Sequence, residues 1–168
     1  QGATAVVDGR TTTYAYDANG QLTGVQEAGG ERIFAYDGNQ NRLSDSAAAG
    51  AWVHDPVNRL TTRPGVQYAY NAEGAVTQRV ANGITWAYEY NLAGKLVEVR
   101  SNGLTVARYA YDPAGRRVSK ETGGATTYYL YSDEGLAAEL DAAGTVRRTY
   151  LHGPSTTWMR APLLLQEN

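Results

Sequence analysis

A short aromatic phrase recurs along the whole sequence, and its spacing restricts the fold more than any other feature. The clearest copy is Tyr109-Ala110-Tyr111-Asp112-Pro113-Ala114-Gly115. Tyr109 and Tyr111 share one face of an extended chain, because residues two apart in a strand point the same way. Asp112 to Gly115 fits a type I turn, in which Asp accepts a backbone N–H, Pro sets φ and Gly tolerates a positive φ. The phrase therefore predicts a strand end, a tight turn and the start of the next strand.

Other copies keep this pattern with small changes. Two copies have Asn in place of Asp, and Asn makes a similar turn-initiating hydrogen bond. The second copy has Gln40 where Gly is expected, and in the degenerate third copy Asn58 sits near that position. The second aromatic position falls at 16, 36, 54, 70, 90, 111, 131 and 152, a period of about 20 residues that indicates a repeat protein. The residues that we assign to the motif, all in structural roles, are Tyr14, Tyr16, Asp17, Gly20, Phe34, Tyr36, Asp37, Trp52, His54, Asp55, Tyr68, Tyr70, Asn71, Gly74, Tyr88, Tyr90, Asn91, Gly94, Tyr109, Tyr111, Asp112, Gly115, Tyr129, Tyr131, Asp133 and Gly135.

Each period also contains a second turn signal. Asn82-Gly83, Asn102-Gly103 and Gly123-Gly124 lie between copies of the phrase, and such pairs between β-type residues are strong hairpin signals. One repeat is therefore two strands of about seven residues and two turns. We predict an all-β chain without a helix longer than one or two turns, folded as one continuous antiparallel meander. About fourteen to sixteen strands fit the sequence, and a sheet of that size tends to curl, so we expect a long curved array of β-hairpin repeats.

Two parts of the chain depart from the pattern. In residues 39–66, Ala47-Ala48-Ala49-Gly50 replaces a good turn and two prolines interrupt the strands, which predicts a bulge or shortened strands but no domain boundary. After a fading eighth copy at Tyr150-Leu151-His152, the tail contains Trp158 and Met159 and then three leucines, and is interpreted as the start of a further strand pair. We therefore divide the chain into an array over 1–154 and a tail over 155–168 that leads into a truncated following segment.

Composition and charge exclude several classes of function. The net charge is −2 and the basic residues are scattered, whereas nucleic-acid binding needs a clustered basic face. The chain has no Cys, which excludes disulfides and thiolate zinc sites. It has no unbroken apolar stretch of the length of a membrane helix. The first ten residues do not resemble a signal peptide and begin in the middle of a repeat, so we expect a piece of a longer protein.

We assign no catalytic or metal-binding role to the polar residues of the repeats. Calcium needs several oxygen ligands converging on one ion, whereas the repeated Asp and Asn are spread along one rim of the predicted sheet. His54 and His152 occupy aromatic positions of degenerate repeats and are interpreted as substituted stacking residues. No Gly-x-Ser-x-Gly elbow is present. We therefore predict no catalytic residue, no metal and no cofactor.

The repeats resemble the YD repeats of the Rhs family, which also occur in the C component of insecticidal toxin complexes and in teneurins. The resemblance is carried by seven in-phase copies of the phrase and extends from about Tyr14 to Pro154. It implies a hollow β-shell that, in bacterial toxins, encloses a C-terminal effector, and a scaffold for adhesion in teneurins. It thus implies a non-enzymatic shell segment whose partners are the rest of its own shell and an enclosed C-terminal toxin domain, in a secreted or cell-surface protein of a bacterium. The Asp- and Gly-rich segment that carries self-cleavage in such toxins has no match here.

Two other interpretations remain open from the sequence. Trp52, Trp86 and Trp158, with the many tyrosines, could form stacking platforms of a carbohydrate- or cell-wall-binding module, and an adhesion module is a further alternative. A carbohydrate binder should expose its aromatic rings in repeated clefts, whereas a shell should pack them between strands. The terminal strands should also be open edges that associate with another chain or are covered by a terminus.

Overall fold

A computed structural model describes residues 2–7 and 10–152 in full and the backbone of residues 164–167. These ranges contain strands and turns and no helix, which confirms the predicted all-β class. The seventeen strands are β1 (Gly2–Val7), β2 (Arg10–Tyr16), β3 (Leu22–Glu27), β4 (Gly30–Tyr36), β5 (Arg42–Asp45), β6 (Val53–His54), β7 (Leu60–Arg63), β8 (Val66–Tyr70), β9 (Val76–Ala81), β10 (Ile84–Tyr90), β11 (Leu96–Ser101), β12 (Leu104–Tyr111), β13 (Arg117–Thr122), β14 (Ala125–Ser132), β15 (Gly135–Leu140), β16 (Val146–Leu151) and β17 (Leu164–Glu167).

The strands belong to two compact units, Gln1–Gly83 and Ile84–Asn168. In the first unit, β1 to β5 form one sheet in chain order, and β6 to β9 pair in chain order in another. In the second unit, β10 to β17 also pair in chain order. All of these pairs are antiparallel, as expected for consecutive hairpins.

The prediction of one continuous meander is wrong at the join between β5 and β6, where the ladder is interrupted. The hydroxyl of Ser46 accepts the backbone N–H of Ile33 at 2.8 Å and so ends the pairing of β4 with β5. The following run, Ala47 to Gly50, has no side chain that can initiate a hairpin turn. The predicted shortening of the strands is confirmed, because β5 and β7 have four residues each and β6 has two.

A shift of register accompanies the second aromatic residue of each repeat. In β12, for example, Ala110 pairs with Ser119 but Tyr111 pairs with Arg117, so one residue of β13 is passed over. The same shift occurs at Tyr131 in β14, so the bulge accompanies the second aromatic position of the repeat.

The core of each unit is thin. Burial alternates along the strands, as in β12, where Ala107 is buried, Tyr109 and Tyr111 are half-buried, and Arg108 and Ala110 are exposed. The extensive contacts between strands within a unit all join consecutive strands, so each hairpin is stabilised chiefly by its neighbours. The buried hydrophobic residues, 6 to 8% exposed, are Phe34, Val66, Ala81, Val99, Ala107 and Ala138.

The tail contributes one strand to the second unit. β17 pairs with β16, with Leu164 opposite Leu151. This agrees with the interpretation of the tail as the start of further strands. Trp158 and Met159 lie outside the described residues.

Candidate functional site

The Asp112 turn shows how the repeated motif reverses the chain. The N–H of Gly115 donates to the carbonyl of Asp112 at 2.9 Å, and the N–H of Asp112 donates to the carbonyl of Arg116 at 2.9 Å. The carboxylate of Asp112 accepts the backbone N–H of Arg116, also at 2.9 Å. Gly115 has φ 78, which a residue with a Cβ adopts only with strain. The motif is therefore a type I turn closed by a left-handed residue.

The same backbone hydrogen bonds recur at seven turns, which begin at Asp17, Asp37, Asp55, Asn71, Asn91, Asp112 and Asp141. The prediction of positive φ is confirmed at four glycines, with φ 79 at Gly20, 86 at Gly74, 71 at Gly94 and 78 at Gly115. Where Gly is missing, Gln40 and Asn58 take the same conformation with φ 70 and 64. Asn does so at modest cost, whereas Gln40 is strained, so the turn as a whole imposes this conformation.

Several turn carboxylates are held in the ionised form. Backbone N–H and Arg116 guanidinium bonds lower the pKa of Asp112, and the same kinds of bond from Arg59 lower the pKa of Asp55. At Asp37 the side-chain amide of Asn41 is the largest cause of the lowered pKa. Both oxygens of each of these three carboxylates accept hydrogen bonds within their own turn, so the carboxylates are engaged in holding turns.

The second aromatic residue of a repeat ties its hairpin to the preceding one. The hydroxyl of Tyr111 donates to the carbonyl of Leu96 at 2.9 Å, and the hydroxyl of Tyr70 donates to the carbonyl of Leu60 at 2.6 Å. Tyr36 and Tyr131 make equivalent bonds to Leu22 and Arg117, at 2.8 and 3.0 Å. Burial raises the pKa of Tyr131, as it does for Tyr70 and Tyr90.

His152 makes the same contact as these tyrosines. Its Nε2 lies 2.9 Å from the carbonyl of Leu136, so Nε2 carries the proton and donates it. This geometry agrees with our interpretation that His152 takes the place of the second aromatic residue of a repeat. His54 occupies the corresponding position on β6, pairs with Leu60, and has a buried Nδ1 without a hydrogen-bond partner.

A second tie, which the sequence analysis missed, links successive turns. It is made by the residue that directly follows the left-handed position. Gln21 donates to the carbonyl of Gln40 at 3.4 Å, Asn41 to Oδ1 of Asn58 at 2.8 Å, and Arg59 to the carbonyl of Asn71 at 3.1 Å. In the second unit, Arg116 places its guanidinium 4.8 Å from the ring of Tyr131. The sequence signal is a long polar side chain five residues after the second aromatic.

One predicted copy of the turn is wrong. Residues 132–135 form a two-residue hairpin in which Ser132 pairs with Gly135, and Asp133 and Glu134 are its tip. Ser132 stands where other copies have Asp, and its shorter side chain accepts only the N–H of Glu134, at 3.2 Å. The four-residue turn occurs instead at Asp141, where the sequence did not indicate it because Leu140, not an aromatic residue, precedes the Asp.

The first aromatic residues pack on the same face as the second ones. Phe34 is buried, and the others are half-buried: they are Tyr14, Trp52, Tyr68, Tyr88, Tyr109 and Tyr129. The guanidinium of Arg117 lies 5.8 Å from the ring of Tyr109 and 4.8 Å from that of Tyr129. Arg117 is exposed on β13, and it bridges two repeats through its contacts with these rings.

One carboxylate of the first unit is buried. Asp45 is 4% exposed and accepts hydrogen bonds from Nε and Nη2 of Arg32 and from the backbone N–H of Ala47. The hydrogen bonds from Arg32 are the largest cause of its lowered pKa, about 2. The nearby Arg42 packs against Phe34, with its guanidinium 4.5 Å from the ring. The negative charge of Asp45 is thus paired with the positive charges of Arg32 and Arg42 within this cluster.

In the described ranges, no group of three or more His, Asp and Glu has the arrangement of a metal site. Nor does this part of the chain contain a helix long and apolar enough to cross a membrane. The described tryptophans, Trp52 and Trp86, are half-buried. The repeated side chains thus bind other repeats of the same chain.

Comparison with known proteins gives the family. The family model of the teneurin YD-shell matches residues 4–142. No curated protein matches the chain. Among solved structures, the Photorhabdus luminescens Tc holotoxin pore with the TccC3 D651A mutation aligns with a TM-score of 0.60 at 14% identity, covering 86% of this chain and 10% of that one.

Two crystal structures of TcdB2–TccC3 give a similar result. The one without the hypervariable C-terminal region has a TM-score of 0.54 at 19% identity, covering 90% of this chain and 10% of that one. The complex with Cdc42 has a TM-score of 0.53 at 16% identity, covering 91% of this chain and 10% of that one. This chain thus spans about a tenth of the length of the solved chains that share its fold. The match over residues 4–142, with the repeated tyrosine–aspartate hairpins, shows that the chain belongs to the teneurin YD-shell family.

Proposed function

We propose that this chain is a segment of the wall of a hollow β-shell, which encloses a C-terminal toxin domain of the same polypeptide. The observation that carries the proposal is the pair of ties between successive repeats, the tyrosine hydroxyl on a backbone carbonyl and the polar side chain on the next turn. Both kinds of tie act within the array, as a wall requires. Membership of the YD-shell family and the fold shared with the TcdB2–TccC3 chains support the same function.

A wall segment needs neither a catalytic residue nor a cofactor, and we assign none. We propose that residues 1–154 form one array and that residues 155–168 lead into the following segment. The motif residues act by holding turns and joining repeats. The parent protein is a secreted or cell-surface protein of a bacterium, in line with the toxin complexes that share the fold.

Protease protection of the C-terminal region in the full-length parent protein tests the proposal. Ala107→Pro breaks the wall, because Ala107 is buried in the middle of β12 and proline removes a ladder N–H. Ala142→Pro is the matched control, since residue 142 occupies the turn position at which Pro113 stands in the Asp112 turn.

We expect the C-terminal region to resist a protease in the parent protein and in Ala142→Pro, and to be cleaved in Ala107→Pro. Equal cleavage of that region in all three proteins would contradict enclosure. Among the residues that the structure describes, no contact favours a carbohydrate site, and a glycan array on the same chain measures that alternative directly.

A further inference from the structure

The join between β5 and β6 is held by little backbone hydrogen bonding. Among the described residues, two backbone bonds join β5 to the chain that enters β6: the N–H of Ala48 donates to the carbonyl of Asp45, and the N–H of Trp52 donates to the carbonyl of Leu43, both at 2.9 Å. β6 itself has two residues, which pair with β7 on its other side. By contrast, β1 with β2, β2 with β3, and β8 with β9 pair along most of their length.

Side chains carry most of the contact across this join. The guanidinium of Arg42 on β5 lies 5.3 Å from the ring of Trp52 and 4.5 Å from the ring of Phe34 on β4. Arg42 therefore lies between rings that belong to the two sides of the interrupted ladder. An arginine over an aromatic ring is attracted by the ring face and also packs against it.

The opposite side of β5 is fixed more firmly. Asp45, at the end of β5, is bonded to Arg32 on β4. The N–H of Ser46 donates to the carbonyl of Ile33 at 2.9 Å, and the Ser46 hydroxyl accepts the Ile33 N–H. β5 is thus secured to β4, and the weaker contact is the one towards β6.

The closed join also leaves polar atoms without partners. Nε1 of Trp52 and Nδ1 of His54 are both buried and have no hydrogen bond. A buried donor or acceptor without a partner is costly, and the cost is removed when the atom reaches water. Opening of the join would expose both atoms to water. The free energy gained by hydrating them offsets part of the free energy lost when the packing contacts are broken.

We propose that residues 46–54 form a seam, at which β6 separates from β5 by local opening while β1 to β5 stay paired, and that Arg42 controls how often it opens. Local opening of this kind occurs where backbone bonds are few and polar atoms are badly satisfied. In a wall, the seam is the place where neighbouring hairpins can part. The inference concerns the first unit alone and stands whether or not the chain encloses a domain.

Amide hydrogen exchange of the 168-residue chain, resolved at single residues, tests the seam. We expect the Trp52 amide to exchange at least about tenfold faster than the slowest amides of β11 and β12. Its rate should not respond to low urea concentrations, because local opening exposes little surface. Arg42→Ala should speed this exchange by a further factor of about ten.

Arg100→Ala is the matched control, since Arg100 makes ion pairs with Glu89 and Glu98 in the second unit and should leave the Trp52 amide unchanged. The proposal is overturned if the Trp52 amide exchanges together with the slowest amides and with the same urea dependence. It is also overturned if Arg42→Ala and Arg100→Ala change the rate equally. Should Arg42→Ala not fold, the urea series on the unmodified chain decides alone.

Discussion

The tyrosine ties can be tested by removing one hydroxyl. Tyr111→Phe deletes the donor to the carbonyl of Leu96 and leaves the ring in place. A neutral hydrogen bond of this kind contributes about 1 kcal/mol to stability, and the half-buried position lets water replace part of the loss. We therefore expect Tyr111→Phe to lower the free energy of unfolding by about 0.5 to 1 kcal/mol.

Tyr109→Phe is the matched control on the same strand. Tyr109 is half-buried like Tyr111, and the contact that the structure gives for it is the ring contact with Arg117, which Phe retains. We expect this variant to change stability by less than about 0.5 kcal/mol. Tyr111→His should lie between wild type and Tyr111→Phe, because His152 makes the equivalent bond to Leu136 through Nε2.

Urea unfolding followed by far-UV circular dichroism measures these differences as shifts of the midpoint at constant slope. A changed slope would mean that the repeats no longer unfold together, and exchange of the amides in β11 and β12 then replaces the midpoint as the measurement. Equal losses from Tyr109→Phe and Tyr111→Phe would show that the rings, and not the hydroxyl, carry the tie.

Three further predictions follow from the turns, the buried carboxylate and the edge. Gly115→Ala should cost about 1 kcal/mol or more because φ is 78 at this position, whereas Gly38→Ala, in the Asp37 turn but without a positive φ, should cost less in the same urea assay. Asp45 has its pKa lowered from 3.8 to about 2. Its contribution to the free energy of unfolding is therefore present above about pH 4 and is lost as the pH falls through 2. The free energy of unfolding of the unmodified chain should fall by about 1 to 2 kcal/mol over this range, whereas that of Asp45→Asn should not. The value is modest because Arg32, the partner of Asp45, is half-exposed. Parallel pH profiles of stability in the two proteins would refute this role. Val6 is 66% exposed on β1, which has β2 as its neighbour, so we expect association through this edge and a shift towards monomer in Val6→Lys, measured by light scattering; a monomeric unmodified chain at high concentration would contradict it.

Features that depend on a few neighbouring residues could be predicted from the sequence. An Asp-x-x-Gly run contains all the groups that its turn needs, so the turn at Asp112 and the positive φ of Gly115 follow from the chain locally. The alternation of half-buried aromatics with small residues likewise indicated the strands. The Asp141 turn has the same Asp-x-x-Gly signal but lacks the aromatic residue before the Asp, so the aromatic repeat did not indicate it.

Features that depend on distant residues could not be predicted in this way. Asp45 looks like an ordinary strand-end residue, and its burial depends on Arg32 from another strand. The break after β5 depends on Ser46, whose hydroxyl takes the place of a backbone partner for Ile33. The ties between turns could not be predicted for the same reason, because Arg59 and Asn71 come into contact only when two hairpins pack side by side.

The chemical nature of these ties bears on how far such a chain can diverge. Tyr111 donates to the carbonyl of Leu96, and Gln21 donates to the carbonyl of Gln40. Every residue offers a main-chain carbonyl, so the receiving position can mutate freely without loss of the bond. Selection then acts on the donor and on the turn, while most of the remaining positions drift. An architecture kept in this way can outlast almost all recognisable sequence similarity. The fold of this chain is shared with solved chains at 14 to 19% identity.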